Sequence, residues 1–211
     1  MRGLRGRSAV FLDRDGVLTE PVWNPATGEY ESPHHLEAVG YCPGALAAAR
    51  RLHAAGFALV IVSNQPSYAK GKVDFGTLEA IGARVEADLR AAGGPVLGSY
   101  YCYHHPQAQV PSLRVGCACR KPGAAFLFEA ARTWSIDLAR SWMIGDRDTD
   151  VACGQAAGCR TILLRHPHAS PHQGARQPDH TAADLLEAAA IVLAADAGLG
   201  AVLPRTTTGE R

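Results

Sequence analysis

Five short apolar runs constrain this chain most: residues 9–12, 57–62, 97–102, 142–144 and 161–164. Between them lie helix-patterned segments at about 45–55, 74–92, 124–134 and 148–157, with another at about 182–196. Strands that short and that apolar are buried on both faces, so the alternation predicts a Rossmann-like α/β domain, a parallel sheet with helices on both faces. Ligands of such sheets sit beyond the carboxyl ends of the strands. Three of the runs break off there into reactive polar residues: Asp13 and Asp15, Ser63 and Asn64, and Asp146. The layout alone therefore points to one site.

Composition narrows the partners. With 211 residues the chain suits one domain, and a net charge of +1 offers no broad basic face for nucleic acid. Its longest uninterrupted apolar run, 57–62, is far below the roughly 18 residues of a membrane span. Arg2, Arg5 and Arg7 precede no apolar stretch of signal-peptide length, so the expected address is the cytoplasm. A monomer is expected, as one domain over 1–198 with a flexible tail over 199–211. Residues 19–41, rich in Pro, Asn and Gly, read as an irregular loop, and 165–178 as a His/Pro-rich one.

Asp13 and Asp15 are one residue apart. If the segment is extended, both carboxylates face one pocket and Arg14 faces away, while Gly16 permits the turn that follows. Two such charges need a cation or a shared proton. Asp146, with Asp150 one helical turn on, adds carboxylate, and an all-oxygen set suits Mg²⁺. A hydroxyl, an amide and a lysine (Ser63, Asn64, Lys121) are what a phosphoryl group with three equatorial oxygens needs around it. Taken singly, each of these has a plain reading as a turn, a strand-end hydroxyl or a solvated charge; the set in this order does not.

A second cluster is Cys102-x-His104, twelve residues, then Cys117-x-Cys119. Three thiolates and one imidazole make a closed tetrahedral set for structural Zn²⁺, against the alternative of buried free cysteines. His105 competes with His104 as the fourth ligand.

The runs Phe11-Leu12-Asp13-Arg14-Asp15-Gly16-Val17-Leu18, Val62-Ser63-Asn64-Gln65, Cys119-Arg120-Lys121-Pro122 and Gly145-Asp146-Arg147-Asp148-Thr149-Asp150 resemble the four motifs of haloacid-dehalogenase-like phosphatases. The resemblance covers roughly residues 8–165. It implies a haloacid-dehalogenase-type fold, Asp13 as the nucleophile that forms an aspartyl-phosphate, and Asp15 as general acid and then base. Ser63 and Lys121 would hold phosphoryl oxygens. Asp13, Asp146 and the backbone carbonyl of Asp15 would hold Mg²⁺. Asn64 and Gln65 fall in the substrate-binding motif. An aspartate at position 15 marks phosphatases rather than P-type ATPases.

The text around the cysteines, 100–106 and 117–122, is similar to the zinc loop of heptose-1,7-bisphosphate phosphatases and of the phosphatase domain of histidinol-phosphate phosphatases. There the arginine before the motif lysine contacts substrate, a position held here by Arg120. Pro66-Ser67 and Gly123-Ala124-Ala125 depart from the usual text. So does the loop 21–35, whose Trp23 and Asn24 are expected to line the substrate pocket. The intervals 16–62 and 64–120 hold no separate cap domain. The implied activity is Mg²⁺-dependent hydrolysis of a small phosphorylated sugar, heptose 1,7-bisphosphate at C7. The alternatives are histidinol-phosphate hydrolysis and a non-catalytic, zinc-stabilised binding protein.

Overall fold

The computed structural model describes residues 6–165 and 167–201. In chain order the elements are β1 (Ala9–Leu12), β2 (Val22–Asn24), β3 (Glu29–Glu31), α1 (Ala45–Ala54), β4 (Ala58–Asn64), α2 (Phe75–Ala91), β5 (Val96–Cys102), α3 (Ala125–Trp134), β6 (Trp142–Gly145), α4 (Asp148–Ala157), β7 (Arg160–Leu164), β8 (His180–Ala182) and α5 (Leu185–Ala201). Six strands pair in the order β5-β4-β1-β6-β7-β8, every pair parallel. From β1 the chain winds outward through β4 and β5 on one side, then returns to lay β6, β7 and β8 on the other. The carboxyl end of β1 is therefore the switch point, where neighbouring connections leave in opposite directions and open a crevice.

Period-two alternation sends Val10, Leu12, Leu59, Ile61, Ile144 and Ile162 to one face, and Ala9, Phe11, Val60, Val62 and Met143 to the other. The first face packs on α1 and α5, the second on α3 and α4. Helix α1 buries Ala45, Ala48, Ala49 and Leu52, one stripe at helical spacing. Its small residues let α5 come close: a Cβ at Gly44 would lie 2.2 Å from Leu186 Cδ1. The Asp74 side chain caps α2 by accepting from the Thr77 N–H at 2.9 Å.

Several elements differ from the sequence reading. The loop 19–41 contains the antiparallel hairpin β2–β3, in register Val22 to Glu31 and Asn24 to Glu29. β8 adds a sixth strand where the final helix was expected to begin, so that helix starts at Leu185 and continues to Ala201. The expected tail thus begins inside a helix, and residues 202–211, like 1–5, lie outside the described residues. β4 runs on through Ser63 and Asn64. Gly44 caps α1 in a left-handed conformation (φ 75°). Among the described residues no helix is long and apolar enough to cross a membrane.

Candidate active site

Lys121 leaves the Cys/His loop and buries its side chain at the carboxyl end of β4, with the residue 3% exposed. Its Nζ lies 2.9 Å from Asp13 Oδ1 and 2.5 Å from Asp150 Oδ1, and it donates to the Val62 carbonyl at 2.8 Å. Burial disfavours the ammonium, but the Asp13 and Asp150 charges outweigh it and hold Lys121 well above the ordinary lysine range. The Asn64 amide fixes the backbone beneath it: Asn64 Oδ1 accepts from the Lys121 N–H at 3.0 Å, and Asn64 Nδ2 donates to the Lys121 carbonyl at 3.1 Å. Asn64, expected on the substrate, is thus engaged with the backbone of the motif lysine.

The carboxylates of Asp13, Asp146 and Asp150 gather with oxygens within 4.8 Å of one another, all three buried. Burial raises the Asp146 carboxyl, and the Asp150 and Asp13 charges raise it further. Asp146 Oδ1 is buried without a hydrogen-bond partner. An orphaned buried oxygen in a nest of like charges is a fit for a hard divalent cation. Two glycines shape the nest. A Cβ at Gly16 would sit 2.4 Å from Asp146 Oδ2, and one at Gly145 would sit 2.1 Å from Asp150 Cβ.

Asp15 does not contribute its carboxylate to this cluster, contrary to the expectation that both aspartates share a pocket. β1 ends at Leu12, and from Asp13 the chain turns: Leu18 and Thr19 both donate backbone N–H groups to the Arg14 carbonyl. The i, i+2 rule for strands therefore lapses. Arg14, expected to face away, is buried and grips Asp15 through Nε and Nη2 at 3.1 and 3.2 Å. Asp15 also accepts from Thr19 Oγ1 at 2.9 Å and Gln65 Nε2 at 2.6 Å. Burial pulls its pKa up, and Arg14, Gln65 and Thr19 together hold it below the usual aspartate range. Gln65 is likewise engaged, accepting from Arg14 and donating to Ser63 Oγ at 3.0 Å.

At the Cys/His loop, Cys102 Sγ lies 3.6 Å from Cys117 Sγ, 3.5 Å from Cys119 Sγ and 3.6 Å from His104 Nδ1, with Cys119 Sγ 3.5 Å from the same nitrogen. A disulfide needs sulfurs about 2 Å apart. Edges of 3.5–3.6 Å instead match a tetrahedron with metal–sulfur bonds of about 2.3 Å. Burial pushes the Cys102 thiol up and its bond to Cys119 adds to this, while Cys117, against burial, is held down by its bond to Cys119. His104 faces the sulfurs, whereas His105 Nδ1 accepts from the Gln107 N–H. Arg120 Nη1 donates to the His104 carbonyl at 3.1 Å, which ties this arginine to the cluster.

The rim is built from two loops. Tyr30 of β3 stacks on His168 with centroids 3.5 Å apart and meets Trp23 at 5.1 Å. Trp23 remains 51% exposed. Asn24, expected to contact substrate, spends its amide on the Ala26 N–H and on Glu31. Sequence reasoning did not find the reach of Gln173, whose Nε2 donates to the Asp146 carbonyl at 2.6 Å. Nor did it find Asp148, which accepts from the N–H groups of Gly174, Ala175 and Arg176. Both tie the loop after β7 to the site, and no local sequence signal marks either.

The profile of the HAD-hydrolase-like family matches residues 118–188. A D-glycero-beta-D-manno-heptose-1,7-bisphosphate 7-phosphatase of Rhodopseudomonas palustris is 34% identical over 155 residues, covering 72% of this chain and 80% of the relative. A D-glycero-D-manno-heptose-1,7-bisphosphate 7-phosphatase of Thermosynechococcus vestitus is 36% identical over 191 residues, 86% and 93% of the two chains. The chain belongs to the haloacid-dehalogenase-like phosphatases. The fold agrees. D,D-heptose 1,7-bisphosphate phosphatase from B. bronchiseptica, solved with magnesium and phosphate, superposes with a TM-score of 0.74 at 28% identity, over 89% of this chain and 99% of that one. As a member of this family the chain is a phosphoric monoester hydrolase, and Mg²⁺ is the metal of haloacid-dehalogenase-like phosphatases.

Proposed function

We propose that this phosphatase hydrolyses D-glycero-D-manno-heptose 1,7-bisphosphate at C7, the activity its relatives are named for, through an aspartyl-phosphate on Asp13. The supporting observation is the buried Lys121 ammonium braced between Asp13 and Asp150, beside the orphaned Asp146 oxygen. The Asp13 carboxylate attacks phosphorus, the bond from phosphorus to the ester oxygen breaks, and Asp15, carrying the proton taken from water in the preceding turnover, delivers it to that oxygen. Asp15 then takes a proton from water as the water attacks the aspartyl-phosphate, which frees inorganic phosphate and restores Asp13. Lys121 and Ser63 receive phosphoryl oxygens, and Asp150 keeps Lys121 in place. Asp13, Asp146 and the Asp15 backbone carbonyl would hold Mg²⁺, which when bound would screen the repulsion between carboxylate and phosphate.

Cys102, His104, Cys117 and Cys119 would hold a structural Zn²⁺, a set of four that would leave no position for chemistry. Bound there, it would fix the loop that presents Arg120 and Lys121. Arg120 reads the second phosphate. Burial and the charge of Arg147 pull Arg120 below its ordinary range, as expected for a cation set to receive an anion. Such a rim disfavours histidinol phosphate, whose leaving group is cationic. Trp23 at the exposed edge of the hairpin meets the sugar. A cluster of reduced thiols suits the cytoplasm.

A panel of heptose bisphosphate, sugar monophosphates and histidinol phosphate tests the substrate, with heptose bisphosphate expected to give the highest kcat/KM. Asp13→Asn is expected to remove turnover with the fold intact. Substantial turnover by that variant, or a preference for histidinol phosphate, overturns the reading.

A further inference from the structure

Arg14 touches both aspartates of its motif. Its backbone N–H donates to Asp13 Oδ1 at 2.7 Å, and its side chain takes Asp15. The residue is 1% exposed, and burying a guanidinium costs several kcal/mol unless specific partners hold it. The partners are Asp15, Gln65 Oε1 at 2.7 Å from Nη2, and the Tyr101 ring, whose centroid lies 5.7 Å from Cζ.

A carboxylate offers about four lone-pair sites. On Asp15 all are taken: Oδ1 by Arg14 Nε and Thr19 Oγ1, Oδ2 by Arg14 Nη2 and Gln65 Nε2. A leaving oxygen or a water can reach this carboxylate only when one donor lets go. The Arg14 fork is charge-assisted and bidentate, so it is the firmer hold. Gln65 is a neutral donor, and its amide nitrogen also reaches Ser63 Oγ. A chain of hydrogen bonds thus runs from Arg14 through Gln65 to the hydroxyl assigned above to a phosphoryl oxygen.

We infer that Arg14 is the positioning residue of Asp15: its fork fixes the direction of the carboxylate, and Gln65 is the donor that yields when the phosphoryl group binds at Ser63. This rests on the phosphatase reading above. A lysine keeps the charge but lacks the planar fork, so Arg14→Lys separates orientation from charge.

The experiment compares Arg14→Lys and Gln65→Leu with the unaltered protein on two esters. One is heptose 1,7-bisphosphate, whose leaving oxygen needs a proton. The other is p-nitrophenyl phosphate, whose phenolate leaves without one. Arg14→Lys is expected to lower kcat on the sugar ester about 100-fold with KM unchanged, the effect of misplacing a reacting group by about 1 Å. Its kcat/KM on p-nitrophenyl phosphate is expected to stay within about threefold. Gln65→Leu should show the same selectivity with a loss of about tenfold, because Gln65 Oε1 also steadies Arg14 Nη2 while the firmer fork to Asp15 remains. Equal losses of kcat/KM on both esters, or a KM effect without a kcat effect on the sugar ester, overturn the inference, as does a Gln65→Leu loss as large as that of Arg14→Lys. If Arg14→Lys does not fold, Gln65→Leu carries the same discrimination between the esters. Failure of the underlying reading shows separately, as an unaltered protein that turns over neither ester or an Asp13→Asn variant that retains turnover.

Discussion

Gly16→Ala tests the acidic nest directly. Gly16 holds φ +85°, a conformation that costs an L-residue about 1–2 kcal/mol. An added Cβ would lie 2.4 Å from Asp146 Oδ2 and 2.7 Å from Asp146 Cγ. Restoring ordinary contact requires the carboxylate to retreat by about 1 Å. The substitution thus has a backbone cost and a separate cost at the metal position. Gly158→Ala isolates the first: Gly158 closes α4 at φ +77°, and a Cβ there meets nothing within 4 Å. For a domain of this size both variants should lower Tm by about 2–8 °C. Only Gly16→Ala should raise the Mg²⁺ concentration for half-maximal activity, by about 10- to 100-fold, the range seen when a ligand loses its support. The assays are thermal melting and a Mg²⁺ titration of phosphate release. An unchanged Mg²⁺ requirement in Gly16→Ala, with Tm lowered as in Gly158→Ala, would show that Asp146 does not set the metal position.

Three further outcomes are expected. Cys117→Ser should take zinc content, measured by elemental analysis, from about one per chain toward zero and lower Tm; a zinc-free parent with the same melting point as the variant refutes a structural site. Arg120→Ala should lower kcat/KM for heptose bisphosphate by about 10- to 150-fold through KM, the loss of one charge-assisted contact, and affect a sugar monophosphate far less; equal losses would show that Arg120 does not read the second phosphate. Glu31, which burial would raise but hydrogen bonds from Lys72, Thr27 and Asn24 hold down at about 2, should stabilise the hairpin fully above pH 4.5 and lose that effect as pH falls toward 2. The Tm gap between the parent and Glu31→Gln should therefore be open at pH 7 and closed near pH 2, and a gap that is constant with pH contradicts the depressed pKa.

The parts of the site that could be read from sequence are those whose chemistry lies in local order. Three apolar runs ending in Asp13, Ser63 and Asp146 place themselves, because a buried parallel strand must surface at its carboxyl end. The spacing of Cys102, His104, Cys117 and Cys119 carries its own geometry. Other parts depend on where the backbone turns. Arg14 was misplaced because alternation was extended past Leu12, where β1 has already ended. The hairpin β2–β3 is three residues a side with no fully buried position, and its one aromatic face is a single Trp23–Tyr30 pair, too short to leave a period-two signal. β8 is a three-residue edge strand with two exposed positions, held where it is by Asp179, which accepts from the N–H and hydroxyl of Thr161 across the corner. Asn64 and Gln65, expected on the substrate, stand beside the carboxylates and bond within the protein. Their partners, the Lys121 backbone and Asp15, lie 57 and 50 positions away, and nothing local announces such pairs.

The charge pattern explains why this site calls for a divalent ion. Arg14 and Asp15 neutralise each other through a bidentate contact, so neither offsets the nest. What remains in direct ion pairs among the described residues is Asp13, Asp146 and Asp150 around the ammonium of Lys121, which leaves two negative charges unmatched in a buried place. A monovalent cation leaves one of them unpaired, at a cost of several kcal/mol in low dielectric, whereas a divalent cation closes the balance. A phosphate dianion entering a balanced nest adds its own charge, which the nest cannot absorb. That charge must be met from the rim, where Arg120, bonded to the His104 carbonyl, stands with Arg147 close enough to depress it. The nest therefore sets the metal and the rim admits the anion. Substitutions at Arg120 should consequently move KM, while substitutions at Asp146 should move the metal requirement.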